Sequence, residues 1–385
     1  MRANRRAAHA GALNGLVLSG GGARAAYQVG VLSYLAEKAP EVSFPIIVGV
    51  SAGAINAAFL AGHRGSPADD LGALANCWTS LTSERVFDTN LSALGLSGAR
   101  WVWTLGGGGT SLGPRVKGLV DTNPLREFLE AQLQVDGIEM NVAEGRLRAL
   151  GLTATRYATG QTVTFVQGGE GTPTWERVRR CGRPTKISVD HVMASGSIPL
   201  VFPAVRVDGE YYGDGSIRQA APLAPAIHLG AGRLLAIATR HTPTLEEIRA
   251  LATTGYPPPA QIIGTLFNTI FLDTLEGDAE RLERINRLLE ALPPRAPNPD
   301  GLRPIKLFVV RPSRDLGALA EDYRGKLPRS LRFVLRGLGI HRVRGSELLS
   351  YLIFESGYIG RIMELGYEDA LTQWDEIERF FADKD

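Results

Sequence analysis

Along the first sixty residues, short apolar runs alternate with segments of helical period, and glycines punctuate the changes. Residues 13–19 are mostly apolar and break into Gly20, Gly21 and Gly22. From about Arg24 to Lys38, Val29, Leu32 and Leu35 recur on one side of a helix. Pro45 opens a β-branched run over 46–50 that ends at Ser51, and small apolar residues over 52–61 predict a second helix. Strand, glycine turn and helix, twice over, predict a parallel α/β sheet, since parallel neighbours need a helical crossover to return the chain.

The pattern dissolves over 91–117, where Trp101 and Trp103 precede the four glycines 106–109. That segment reads either as a lid or lipid-facing loop, or as a surface loop whose tryptophans pack back on the core. Asp121-Thr122-Asn123-Pro124 is a helix start with proline at the first helical position, followed by a stripe of Leu125, Phe128, Leu129 and Leu133. Residues 150–155 and 162–167 predict a hairpin around Ala158-Thr159-Gly160, and 234–239 and 305–310 predict further buried strands. Leu282, Ile285, Leu288, Leu289 and Leu292 give helical spacing over 277–293. At 328–338, Leu331, Val334, Leu335 and Leu338 share one face while Arg329, Arg332 and Arg336 occupy another. Such a helix either docks on its own protein, the preferred reading, or lies in a membrane interface.

Strands on both sides of residue 230 favour one α/β unit over two. The expected division is a disordered arm over 1–12, a core over 13–230, and an extension over 231–385 whose strands complete the sheet and whose helices pack on it. The expected architecture is three-layer α/β/α, with a mostly parallel central sheet and a helical C-terminal extension.

Composition narrows the function classes. The chain has 385 residues, 44% hydrophobic and 21% charged, with a net charge of +2. Nucleic-acid binders concentrate Lys and Arg far more strongly, so no nucleic-acid partner is expected. Two cysteines, Cys77 and Cys181, cannot build a disulfide framework and read as free thiols of a reducing compartment. The start lacks the apolar run of a signal peptide, and no stretch reaches the ~20 apolar residues of a membrane span. A cytoplasmic protein is expected, one that meets a membrane only as a peripheral contact. Nothing in the sequence addresses oligomeric state.

Gly49-Val50-Ser51-Ala52-Gly53 carries the candidate chemistry. A nucleophilic serine must leave the chain's mean path and face a cleft. A sharp strand-to-helix turn does this but crowds the backbone, which is why Gly49 and Gly53 flank it. Upstream, Gly20, Gly21 and Gly22 stand in the same strand-to-helix setting, where several N–H groups can converge at a helix start to hold an oxyanion. Arg24 follows, placed to pair with a carboxylate or to help hold negative charge. The serine needs a base. None of His9, His63, His191, His228, His241 and His341 stands in an obvious motif, whereas Asp214 lies between Gly213 and Gly215. An isolated Asp-Gly is usually only a turn, so base and turn both remain open on these residues alone. A rival reading takes Gly20, Gly22 and Ala25 as a loose dinucleotide fingerprint with Glu41 as the ribose acid, but leaves Ser51 unexplained. Asp69-Asp70 resembles a metal pair only superficially; no metal and no cofactor are expected.

Taken in order, residues 20–24, Gly49–Gly53 and Asp214-Gly215 resemble the motifs of patatin-like phospholipases, and residues 194–199 resemble the small-residue segment before that family's aspartate. The resemblance covers about residues 14–230. It departs at Ala25, where the family often has glycine. It implies a patatin-like fold and lipid acyl hydrolysis by a Ser–Asp dyad without histidine. Ser51 is then the nucleophile and Asp214 its base, with Gly20, Gly21, Gly22 and Arg24 forming the oxyanion region. The implied substrate is a lipid or other acyl ester. Transacylase, thioesterase or polyester depolymerase activity would use the same dyad, and a non-catalytic lipid-binding or nucleotide-binding protein is the distant alternative.

Overall fold

The computed structural model describes residues 13–88, 120–243, 274–293, 301–327 and 347–382, with isolated positions 118, 246, 249 and 298. The arm at 1–12, the tryptophan and glycine segment at 91–117 and the basic helix at 328–338 lie outside the described residues. Strand β1 (Asn14–Leu18) leads through the glycines and one 3-10 turn (Gly22–Ala25) into α1 (Ala26–Lys38). Strand β2 (Ile46–Val50) leads through Ser51 into α2 (Ala52–Gly62). Both units follow from the hydrophobic pattern: every residue of β2 is buried, as expected of a parallel strand covered on both faces.

Helices α3 (Pro67–Ser80), α4 (Ser83–Val86), α5 (Asn123–Gln132) and α6 (Val135–Ala143) precede β3 (Ala149–Arg156) and β4 (Gln161–Gly168). In α3, Ser66 caps the first turn by accepting the Asp69 N–H, and Asp69 and Asp70 lie in that turn, so the acidic pair is helix-start chemistry. The stripe expected on α5 is buried at Leu125, Phe128, Leu129 and Leu133. A small hairpin, β5 (Trp175–Arg177) and β6 (Arg180–Pro184), precedes α7 (Val189–Ser195), β7 (Val205–Val207) and β8 (Glu210–Asp214). Then come α8 (Ala224–His228), β9 (Arg233–Ile237), α9 (Thr274–Ala291), β10 (Lys306–Val310) and α10 (Leu316–Glu321). Helices α11 (Glu347–Leu352), α12 (Ser356–Thr372) and α13 (Trp374–Ala382) close the chain. The apolar stripe expected on α9 is only half used: Leu282 is buried, whereas Leu288 is 62% and Leu292 47% exposed.

The described strands form one sheet with the path β10-β9-β1-β2-β3-β4-β6-β5. From β10 to β3 every pairing is parallel. Strand order runs one way from β1 to β3 and the other way to β9 and β10, so a topological switch lies at β1, where such sheets open a crevice at the strands' carboxyl ends. Alternate residues divide between two cores. Leu16, Leu18 and Ile47 join the core under α1, α2, α3 and α12, while Val17, Ile46 and Val48 join the one under α8 and α9. The result is a three-layer α/β/α fold with a mostly parallel sheet and C-terminal helices. Helix α12 packs along α1, where the buried Tyr27 hydroxyl donates to Asp369 at 2.9 Å.

One detail of register positions the site. Strand β3 is longer than β2, pairing with it only from Ala149 to Thr153. Beyond that point the same edge of β3 pairs with β8, with Ala154 opposite Asp214 and Arg156 opposite Tyr212. Strand β8 therefore abuts the end of β2, and the last residue of β8 meets the first residue after β2.

Candidate active site

Ser51 occupies the bend between β2 and α2 with φ 55° and ψ −130°, outside the usual region for a residue with a side chain. The bend exists because the neighbours lack side chains. A Cβ on Gly49 would collide with the Gly53 carbonyl, and one on Gly53 with the carbonyls of Leu18 and Ser19. The bend is also held from outside. The Ser195 hydroxyl accepts the Ser51 N–H at 2.9 Å and donates to the Thr153 carbonyl at 2.6 Å. Ser195 is fully buried, so either bond lost would leave a polar group unsatisfied.

Asp214 is fully buried and held at three points. Its N–H donates to the Ser197 carbonyl at 2.8 Å, its carbonyl accepts the Thr155 hydroxyl at 2.9 Å, and its Oδ1 accepts the Ser216 N–H at 2.8 Å. The remaining oxygen, Oδ2, accepts the Ser51 hydroxyl at 2.6 Å. Burial pushes the Asp214 carboxyl up to about 6, against the opposing pull of the hydrogen bonds from Ser51 and Ser216. Its proton affinity thus lies closer to neutrality than a free carboxylate's ~3.9.

Facing this pair is the glycine loop. Gly21 and Gly22 have φ of 156° and 56°. A Cβ on Gly20 would lie 3.0 Å from Ser51 Cβ, and one on Gly22 would strike the Tyr351 carbonyl. Thr239, just after β9, anchors the loop by donating its hydroxyl to the Gly20 carbonyl. Among the described residues, no hydrogen bond occupies the N–H groups of Gly20, Gly21 or Gly22. Arg24 differs from these glycines. Its N–H donates to the Gly21 carbonyl at 3.2 Å, its Nε donates to Ser350 Oγ at 2.7 Å, and its guanidinium lies 5.0 Å over the Tyr351 ring. Buried to 1% exposure, it braces the loop against α11.

His9 and His341 lie outside the described residues, and the four described histidines are engaged elsewhere. His63 lies at the far end of α2 from Ser51, stacked on Phe59. His191 closes the capping box of α7 with Ser188, and His228 stacks on Trp175. His241 meets the Pro312 carbonyl. Among the described residues no histidine hydrogen-bonds Ser51 or Asp214, and no group of His, Cys, Asp and Glu could hold a metal ion. Cys77 and Cys181 are free thiols.

Beside Ser51 lies a narrow cavity lined by Ser51 and Gly22, with Ile55, Leu81, Leu125, Met193 and Phe202 among its apolar walls. Tyr351 and Phe354 close it from the C-terminal segment. A larger apolar cavity lies away from the dyad, between α1, α3 and the sheet. Two contributors have no sequence signal of their own: Thr239 and the Tyr351 wall. Threonine is too common to single out, and Tyr351 lies 300 residues from Ser51. Ser195 falls within the small-residue segment 194–199, whose resemblance marks the place but not the bridge.

Residues 16–227 match the family model described as patatin-like phospholipase. No curated protein matches the chain in sequence. Among solved structures, human GIVD cytosolic phospholipase A2, in complex with methyl gamma-linolenyl fluorophosphonate and terbium chloride, is 13% identical with a TM-score of 0.44. The match covers 96% of this chain and 59% of that one, so the chain spans about three-fifths of that enzyme's length. VipD from Legionella pneumophila is 13% identical with a TM-score of 0.35, covering 95% of this chain and 67% of that one. The ExoU–SpcU complex of Pseudomonas aeruginosa gives 16% identity, a TM-score of 0.26 and coverages of 96% and 76%.

Proposed function

The chain belongs to the patatin-like phospholipase family, and from that premise we propose that it is a serine acyl hydrolase of lipid esters working through a Ser51–Asp214 dyad. One observation carries the reading: the 2.6 Å bond from the Ser51 hydroxyl to a fully buried Asp214 carboxylate, beside the glycine loop and in the wall of an apolar cavity.

The chemistry follows from these groups. As Ser51 Oγ bonds to the ester carbonyl carbon, its proton passes to Asp214 Oδ2, and the carbonyl electron pair moves onto oxygen. The N–H groups of Gly20, Gly21 and Gly22 receive that oxyanion; losing one such donor typically costs ~10²–10³ in turnover. Collapse of the intermediate breaks the bond to the leaving alcohol, which takes the proton from Asp214. Water then repeats the sequence on the acyl-enzyme, with Asp214 again accepting a proton and Ser51 Oγ departing. Burial of Asp214 strengthens it as a base, and the dry site strengthens its bond with Ser51. The cavity walls at Leu125, Met193 and Phe202 suit an acyl chain.

Labelling by a fluorophosphonate, together with hydrolysis of a panel of phospholipids and lysophospholipids followed by mass spectrometry, tests the proposal. Labelling and hydrolysis should both vanish in Ser51→Ala. Hydrolysis retained in that variant would overturn it.

A further inference from the structure

The hairpin of β5 and β6 places a concentration of positive charge two strands beyond β3. Arg177 and Arg180 are direct cross-strand partners on one face of the hairpin, an arrangement that costs stability because like charges face each other. Arg179 at the tip and Arg218 after β8 line the same open cavity. The Arg177 guanidinium donates to the Glu176 carbonyl, and among the described residues none of the four arginines forms an ion pair. Glu176 stands opposite Cys181, on the other face of the hairpin. Asp278 behind the cavity accepts the Leu223 N–H and pairs with Arg281, and Arg180 acts on it at longer range without forming an ion pair. Burial depresses the proton affinity of His228, and Arg180 and Arg177 depress it further. For a chain whose net charge is only +2, this is a local concentration rather than a general excess.

Its position matters as much as its charge. Arg180 stands opposite Thr162, which stands opposite Thr155, which stands opposite Gly213, the residue before Asp214. The arginines therefore share the sheet edge of the dyad, about three strand spacings or 15 Å along it. The tip between them carries Val178, 91% exposed, and the adjoining β3–β4 turn carries Tyr157, 46% exposed. The arginine cavity is lined by α8 and so lies on the sheet face opposite the acyl cavity, but on the sheet edge that carries Asp214. Cations around an outward apolar tip match the layered chemistry of a membrane surface.

We propose that the corner formed by Arg177, Val178, Arg179, Arg180 and Arg218 docks on the phosphate headgroups of an anionic lipid surface and brings the sheet edge that carries the dyad to it. This deepens the lipid-hydrolase reading, from which it takes the lipid as the working surface. Sedimentation with vesicles rich in phosphatidylglycerol, against vesicles of phosphatidylcholine, tests it. The Ser51→Ala protein is used there so that hydrolysis does not alter the vesicles, while esterase activity on a soluble short-chain ester is measured in the Ser51 protein. Each basic residue near an anionic surface is worth about fivefold in partitioning. Arg177→Gln/Arg180→Gln should therefore weaken binding to anionic vesicles about 25-fold, leave soluble-ester hydrolysis unchanged and leave the melting temperature unchanged or slightly raised. Arg177→Lys/Arg180→Lys should keep most of the binding, because a surface reads charge more than geometry. Three results would overturn the proposal: unaltered vesicle binding in the Gln pair, equal binding to neutral vesicles, or thermal stabilisation by inorganic phosphate without vesicle binding, which would assign the arginines to a soluble phosphorylated ligand. Failure of soluble-ester hydrolysis in the unmodified chain would sink the catalytic reading instead and leave the vesicle result standing.

Discussion

Burial raises the proton affinity of Asp214, and in the proposed dyad that quantity sets the pH at which Asp214 can take the Ser51 proton. With the carboxyl pushed up to about 6, kcat/KM on a soluble ester should climb with pH and reach half its plateau near pH 6; a half-point near 4 would contradict the buried geometry. The same shift is a stability statement. The folded state holds the proton more tightly than the unfolded chain, so stability is greatest below about 4 and declines as pH rises through 6. The move from 3.8 to about 6 corresponds to about 3 kcal/mol at full ionisation. Asp214→Asn should accordingly abolish hydrolysis, melt higher than the parent at pH 8 and melt close to it at pH 4, as scanning calorimetry at the two pH values would read. Ser195 acts differently, since it touches the backbone of Ser51 rather than any reacting atom. Ser195→Ala should lower kcat about tenfold with KM little changed and cost about 1–3 kcal/mol of stability, because it orphans a buried N–H and a buried carbonyl.

At the scale of elements, the bend after β2 depends on α2 starting hard against the end of β1. Gly53→Ala would force a methyl group into the Leu18 and Ser19 carbonyls. The resulting shift of the helix start should remove most fluorophosphonate labelling even in molecules that fold. A comparable change on the exposed side, such as Gly72→Ala in α3, where a Cβ meets nothing, should leave labelling intact and stabilise the helix by about 1 kcal/mol. Comparing the two by labelling and thermal melting separates a requirement for space from an ordinary helix preference. Strand β8 shows the same dependence from the other side, since its carboxylate reaches Ser51 only because β3 outlasts β2.

Across the whole molecule, the C-terminal segment is part of the site and of the core. Arg24 ties the glycine loop to α11, Tyr351 and Phe354 wall the cavity, and α12 lies along α1. The buried hydroxyl of Tyr27 donates to Asp369, which also accepts the Ser313 N–H. Tyr27→Phe should therefore lower stability by about 1–3 kcal/mol in urea unfolding while leaving the esterase rate of the folded protein unchanged. Loss of the rate in parallel would mean that this contact shapes the site directly.

Sequence alone was enough for the alternating strand–turn–helix grammar at β1–α1 and β2–α2, for the β3–β4 hairpin, and for the glycine spacing around Ser51. These are local matters, set by side-chain period and by whether a Cβ fits. The glycine loop, the serine and Asp214 were likewise legible as motifs in order, and no local feature said that two residues 163 positions apart would fold together at hydrogen-bond distance. Tertiary structure decided that, through a strand register that ends β2 where β8 begins. It also decided which polar groups lost water, and with them the basicity of Asp214 and the role of Ser195. Burial and pairing across the sheet are sums over contacts distant in the chain, and no pattern read along the chain contains them.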